Sequence, residues 1–68
     1  MEFELINYEF IELNKLLKIM GLVETGGEAN LVITDGEVLV NGQVELQKRK
    51  KLRKGDVVEF NEERIVII

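Results

Sequence analysis

Sixty-eight residues, 46% of them apolar, suffice for one small domain with a true core, and the absence of cysteine and histidine excludes disulfides, thiolate chemistry and the usual zinc sites. Thirteen acidic residues against nine basic ones leave a formal net charge of −4. No apolar run approaches the roughly 18 residues of a membrane span, and acid at Glu2 and Glu4 stands where a secretory signal carries positive charge, so a soluble cytoplasmic protein with a single domain over residues 1–68 is expected.

In EFELI, residues 2–6, Phe3 and Leu5 alternate with Glu2 and Glu4, the pattern of a short strand. Asn7 to Phe10 reads as a turn. The period then changes. Leu13, Leu16, Leu17 and Met20 recur at spacings of three and four, as on one face of a helix, with Lys15 and Lys18 off the stripe. Gly21 stops this helix, and Leu22 is placed for the hydrophobic contact of a C-cap.

In TGGE, residues 25–28, Thr25 and Glu28 have capping-box spacing. The Thr25 hydroxyl is expected to accept from the Glu28 backbone N–H, and the Glu28 carboxylate to reach back to the Thr25 N–H. Gly26 and Gly27 are poor helix formers, so the cap has to hold this first turn. Ala29, Val32 and Ile33 form the apolar face of a second short helix, which Gly36 ends.

From Glu37 the chain turns to strands. Val38-Leu39-Val40 and Gln43-Val44-Glu45-Leu46 flank Asn41-Gly42, a strong signal for a type I′ hairpin because that turn needs positive φ at both positions. A basic loop follows, with Leu52 as its anchor to the core. Lys54-Gly55-Asp56 turns the chain into Val57-Val58-Glu59-Phe60, Asn61 to Glu63 make a further turn, and Arg64 to Ile68 form a last strand. The expected class is α+β, in the order β-α-α-β-β-β-β. A monomer is favoured, although the terminal strand Ile65 to Ile68 would offer an edge for pairing across a dimer.

Catalysis has little to work with. There is no serine or histidine, and the only threonines are Thr25 and Thr34. No carboxylate sits in an apolar context that would make it an acid or base, and Glu62-Glu63 reads as a solvated tip. Asp35 and Glu37 around Gly36 are too sparse to define a metal site. Gly26-Gly27 at a helix start can offer backbone N–H groups to phosphate, but without the spacing and lysine of a P-loop. No catalytic residue, metal or cofactor is expected.

The charge is unevenly placed. KRKKLRK, residues 48–54, holds six of the nine basic residues and no acid, and the rest of the chain has three basic residues against thirteen acidic, a balance of −10. Six cations in one segment suit a polyanion, because each neutralised phosphate releases counterions. In an extended segment Lys48, Lys50 and either Arg53 or Lys54 project together. The plainer reading is a solvated loop that keeps an edge soluble, or that neutralises Glu45 and Asp56. Phe3 and Phe60 are expected in the core, leaving Tyr8 and Phe10 as the only aromatic candidates for exposure, so a polyanion would be read through its shape and backbone over stacking.

Residues 12–56 resemble the ribosomal-protein S-four-type RNA-binding domain, also called the alpha-L motif. The stretch ELNKLLKIMGLVETGGEANLVITDGEVLVNGQ follows that family's pattern without a gap. The resemblance is carried by Leu13 and Leu17, Gly21-Leu22, Glu28-Ala29, Ile33, Gly36, Val38, Val40-Asn41-Gly42 and Lys54-Gly55-Asp56, and it spans about two-thirds of the chain. The whole chain looks like the small stand-alone bacterial members, in which strands flank the motif and Gly-Gly stands at the second helix.

The resemblance implies binding of structured RNA, such as ribosomal RNA or a tRNA-like fold. Carried over by position, the RNA-facing surface includes Asn14, Lys15 and Lys18, then Thr25, Gly26, Gly27 and Asn30, and then Asn41, Gly42 and Gln43. To these the basic run adds Lys48, Arg49, Lys50, Lys51, Arg53 and Lys54. Many members are basic where this chain has Glu12, Gly26, Asn30 and Thr34, so its helix surface is less cationic than the pattern. The competing expectation is a protein–protein adaptor whose basic loop meets an acidic partner.

Overall fold

A computed structural model describes all residues, Met1–Ile68. Seven strands and two helices follow one another as β1 (Glu2–Phe3), β2 (Ile11–Glu12), α1 (Leu13–Ile19), α2 (Gly26–Thr34), β3 (Leu39–Val40), β4 (Gln43–Val44), β5 (Lys51–Leu52), β6 (Val57–Phe60) and β7 (Glu63–Ile67). Five strands make one sheet in the order β1-β7-β6-β3-β4, and β2 and β5 form a separate pair. All thirteen buried residues are apolar and join in one cluster. The helices supply Leu13, Leu16, Leu17, Ala29 and Ile33, and the sheet supplies Val40, Val58, Ile65 and Ile67. Burial of each large aliphatic side chain stabilises the fold by about 1.5–3 kcal/mol.

Both helices stop for the expected reason. Gly21 (φ 74°) and Gly36 (φ 80°) take the left-handed conformation. Gly21 and Leu22 donate back to Lys18 and Leu17, and Gly36 and Glu37 donate back to Ile33 and Val32, so each end is a full Schellman motif. At the start of α2 the Thr25 hydroxyl accepts from the Glu28 N–H at 3.0 Å, as expected. The Glu28 carboxylate, however, accepts from the Glu24 N–H at 2.8 Å, one residue before the donor expected at Thr25. Asn41 (φ 53°) and Gly42 (φ 83°) make the two-residue turn between β3 and β4.

The flanking strands differ from the expectation in three respects. The strand read over residues 2–6 is confined to Glu2–Phe3, although the Leu5 N–H still reaches the Ile68 carbonyl at 2.9 Å. The terminal strand is no free edge, because β7 lies between β6 and β1 and pairs with β1 in parallel, Glu2 facing Val66 and Phe3 facing Ile67. Two short strands add to the expected order, β2 just before the first helix and β5 inside the basic run. Ile11 faces Leu52 and Glu12 faces Lys51, a pairing across some forty residues that no local periodicity announces.

Candidate nucleic-acid interface

The basic run is fastened by its backbone. An α-helix begins with N–H groups that have no partner inside the helix. In α1 the flanking Glu12 makes no side-chain cap. Instead the Leu13 N–H donates to the Lys50 carbonyl at 2.9 Å, and the Asn14 N–H donates to the Lys48 carbonyl at 3.0 Å. The basic segment thus caps the first helix with its main chain. Leu52 is wholly buried, the anchor expected from its place among the cations, while Lys48, Arg49, Lys51, Arg53 and Lys54 are exposed and Lys50 is half-buried.

The far end of the run is held by Asp56. One carboxylate oxygen accepts from the Arg53 N–H at 2.8 Å, and the other accepts from the Asn41 side-chain amide at 3.0 Å. The Asn41 amide oxygen accepts in turn from the Val57 N–H at 2.9 Å. Gly55, at φ 95°, gives the turn its left-handed step. The segment is therefore a bridge, tied to the start of α1 at Lys48 and Lys50 and to the tip of the first hairpin at Arg53.

The six cations have no carboxylate partners. The molecule contains one ion pair, Lys15 with Glu12 at 3.2 Å, and it lies outside the run. Asp56 and Glu45, the acids best placed in sequence to neutralise it, are committed elsewhere, Asp56 as described and Glu45 accepting from the Gln47 N–H at 3.1 Å. Two cations rest on an aromatic ring. The Lys51 Nζ is 4.9 Å and the Arg53 guanidinium carbon 5.6 Å from the centre of Phe10, an arrangement that attracts without cancelling charge.

The residues singled out on the helix pair and hairpin are in different conditions. Asn14 donates its side-chain N–H to the Asn30 amide oxygen at 3.1 Å, joining the helices next to Lys48, while its own amide oxygen is buried without a partner. Lys15 is paired with Glu12, and Lys18 is exposed and unpaired. The Thr25 hydroxyl is engaged as the cap. Gly26 and Gly27 are exposed in helical backbone, and a Cβ on either would meet open space or ordinary contact. Asn41 is engaged by Asp56 and Val57, while Gly42 and Gln43 are exposed at the hairpin tip. Asp35 and Glu37 join no group of potential metal ligands.

Phe10, expected only as a candidate for exposure, and Asp56, expected as a turn residue or a neutraliser of the run, make contacts that the sequence did not show. The Lys-Gly-Asp turn signalled a bend but not the contact of its carboxylate with Asn41. Phe10 reaches the cations only through the pairing of β2 with β5, so no local pattern marks it.

A helix pair followed by a hairpin with a two-residue turn, and a basic segment that caps the first helix, define a small α+β module of the alpha-L type. The chain belongs to the S4 domain family, whose pattern matches residues 3–68. It is 41% identical over 58 residues to the Escherichia coli "Putative RNA-binding protein YbcJ", an overlap of 85% of this chain and 83% of that one. It is 39% identical over 55 residues to the Bacillus subtilis "Probable ribosome maturation protein RlbA", with 81% and 78% of the two chains covered. The solution structure of E. coli YbcJ, described as revealing an alpha-L motif involved in RNA-binding, superposes with a TM-score of 0.75 at 36% identity, covering 98% of this chain and 85% of that one. No helix is long and apolar enough to cross a membrane.

Proposed function

We propose that this protein is a non-catalytic RNA-binding module, a single domain acting in the cytoplasm, that docks structured RNA of ribosomal or tRNA-like kind. The observation that carries the reading is the basic bridge. Its backbone is fastened at both ends, and its six cations are left without a carboxylate. Ordering a flexible cationic loop would cost conformational entropy at the moment of binding; here that cost is largely met on folding. Lysine and arginine along the bridge meet phosphates, Arg49 and Arg53 with planar forks suited to two oxygens. On the helix pair Lys18 adds an exposed, unpaired cation, and the exposed Gly26 and Gly27 admit a close RNA backbone. The names of the E. coli and B. subtilis relatives support the same reading.

An electrophoretic shift with structured RNA, run at low and moderate salt, tests it. Log affinity should fall with log salt at a slope of roughly −3 to −5, as for several neutralised phosphates. Lys48→Glu, Arg49→Glu, Lys50→Glu and Lys51→Glu together should abolish the shift while circular dichroism stays native, since the run is held by its main chain and by the buried Leu52. Undiminished binding by that variant would remove the bridge from the interface. If RNA never shifts and an acidic protein does, the adaptor reading replaces this one.

A further inference from the structure

The chain leaves the sheet after β1 and runs to β2 of the separate pair, and this excursion walls an open groove of about 750 Å³ against one flank of α1. Sites for small ligands span roughly 300–1,000 Å³. Apolar and charged side chains line the groove. Ile6, Tyr8 and Ile19 offer apolar surface that stays 60%, 76% and 61% exposed. Glu4, Glu9 and Glu12 add carboxylates, and Lys15 in the same wall pairs with Glu12, so that Glu4 and Glu9 leave the lining net negative. Such a lining repels phosphate. It suits a flat apolar group that carries N–H donors on its edge.

The groove ends where the cations begin. Phe10 lines it, and the same ring lies under Lys51 and Arg53. A polyanion lying along the basic bridge therefore passes the mouth of a groove that rejects its phosphates and suits its bases.

We infer that this groove takes one unpaired guanine base of the RNA whose backbone lies on the bridge, an inference that rests on the RNA-binding reading above. Tyr8 supplies a stacking face, an interaction open to any base. The carboxylates of Glu4 and Glu9 supply the choice among bases. Guanine presents two neighbouring donors, N1–H and the N2 amino group, which match the two oxygens of a carboxylate. Uracil places its one N–H between two carbonyls that the carboxylate repels. Adenine and cytosine set an acceptor nitrogen beside their amino group.

Tyr8 is the only tyrosine and there is no tryptophan, so intrinsic emission reports on this groove alone. The probes are a short oligouridine with one internal guanosine and the same oligouridine without it. The guanosine oligomer should quench the emission and bind about tenfold tighter, the order of one stacked base. Glu4→Gln together with Glu9→Gln should erase that advantage, and Tyr8→Leu should weaken the binding of the guanosine oligomer. Equal binding of the two oligomers, no binding of either, unchanged emission, or a preference that survives the paired glutamine substitution would each overturn the inference. A groove reserved for a protein segment or a second copy of the chain gives the first three results. If structured RNA still shifts and the charge-reversed bridge still fails to bind it, the groove alone is overturned; loss of the shift itself takes both readings.

Discussion

At one end of β6 the chain turns through Asn41-Gly42, next to Asp56 and the last cations of the bridge; at the other it turns through Asn61-Glu62, next to Glu37, Glu59 and Glu63. Both are two-residue turns with positive φ at each position, 53° and 83° in the first and 52° and 67° in the second. The first gives its second position to glycine and wires its asparagine into Asp56 and Val57. The second sets a glutamate in the left-handed region, where a side chain is disfavoured. The structure thus spends fixed hydrogen bonds on the basic end and leaves the acidic end as a plain bend. The four residues of β6, at about 3.3 Å each, hold the turns about 13 Å apart, beyond a Debye length of about 8 Å at physiological salt. Neither end screens the other, and the single ion pair of the molecule joins neither.

Substitutions can break this contrast. Leu52→Ala should have the largest effect, about 2–5 kcal/mol of lost stability in urea unfolding, because it empties a fully buried site that also anchors the bridge. Asp56→Ala removes the acceptor of the Arg53 N–H and of the Asn41 amide, both open to water, and should cost about 0.5–1.5 kcal/mol. It also makes the basic end more positive. RNA affinity that falls despite the added charge would show that the fixed geometry of the bridge matters, and a rise would show that charge alone does. Glu62→Gly should act in the opposite direction, raising stability by about 0.5–1 kcal/mol through relief of the left-handed residue while leaving RNA binding unchanged. Gly27→Ala should be the mildest, gaining at most about 0.5–1 kcal/mol of helix stability in thermal melts, since a Cβ there meets only ordinary contact. A simultaneous fall in RNA affinity would place an RNA backbone against that glycine; unchanged affinity would take it out of the interface.

Much of the candidate site was legible because it was local. Six cations around one leucine in a short segment identify both the charge and its anchor, and the buried Leu52 bears that out. Thr25 three residues before Glu28 announced the hydroxyl cap, and the displaced reach of Glu28 to Glu24 is the one detail of that motif left to the fold. The fixing of the bridge was not legible. A two-residue strand such as β5 is too short to show alternation, and its partner β2 lies some forty residues earlier. The contact of Asp56 with Asn41, fifteen residues earlier, was hidden for the same reason, whereas Asp56 with Arg53 and Glu45 with Gln47 are local turns within three residues.

The sequence by itself determined where the chain must bend and which faces must be buried: glycines at 21, 36 and 42 where φ turns positive, and leucines at helical spacing along α1. Those are properties of single residues and their near neighbours, governed by backbone sterics and hydrophobic period. Only the tertiary structure decided that the basic segment would cap α1 with its carbonyls, that Phe10 would meet two of its cations, and that β1 would close the sheet in parallel beside β7. Such pairings depend on which distant groups the collapsed core brings together, and loop closure over tens of residues leaves no mark in the local pattern.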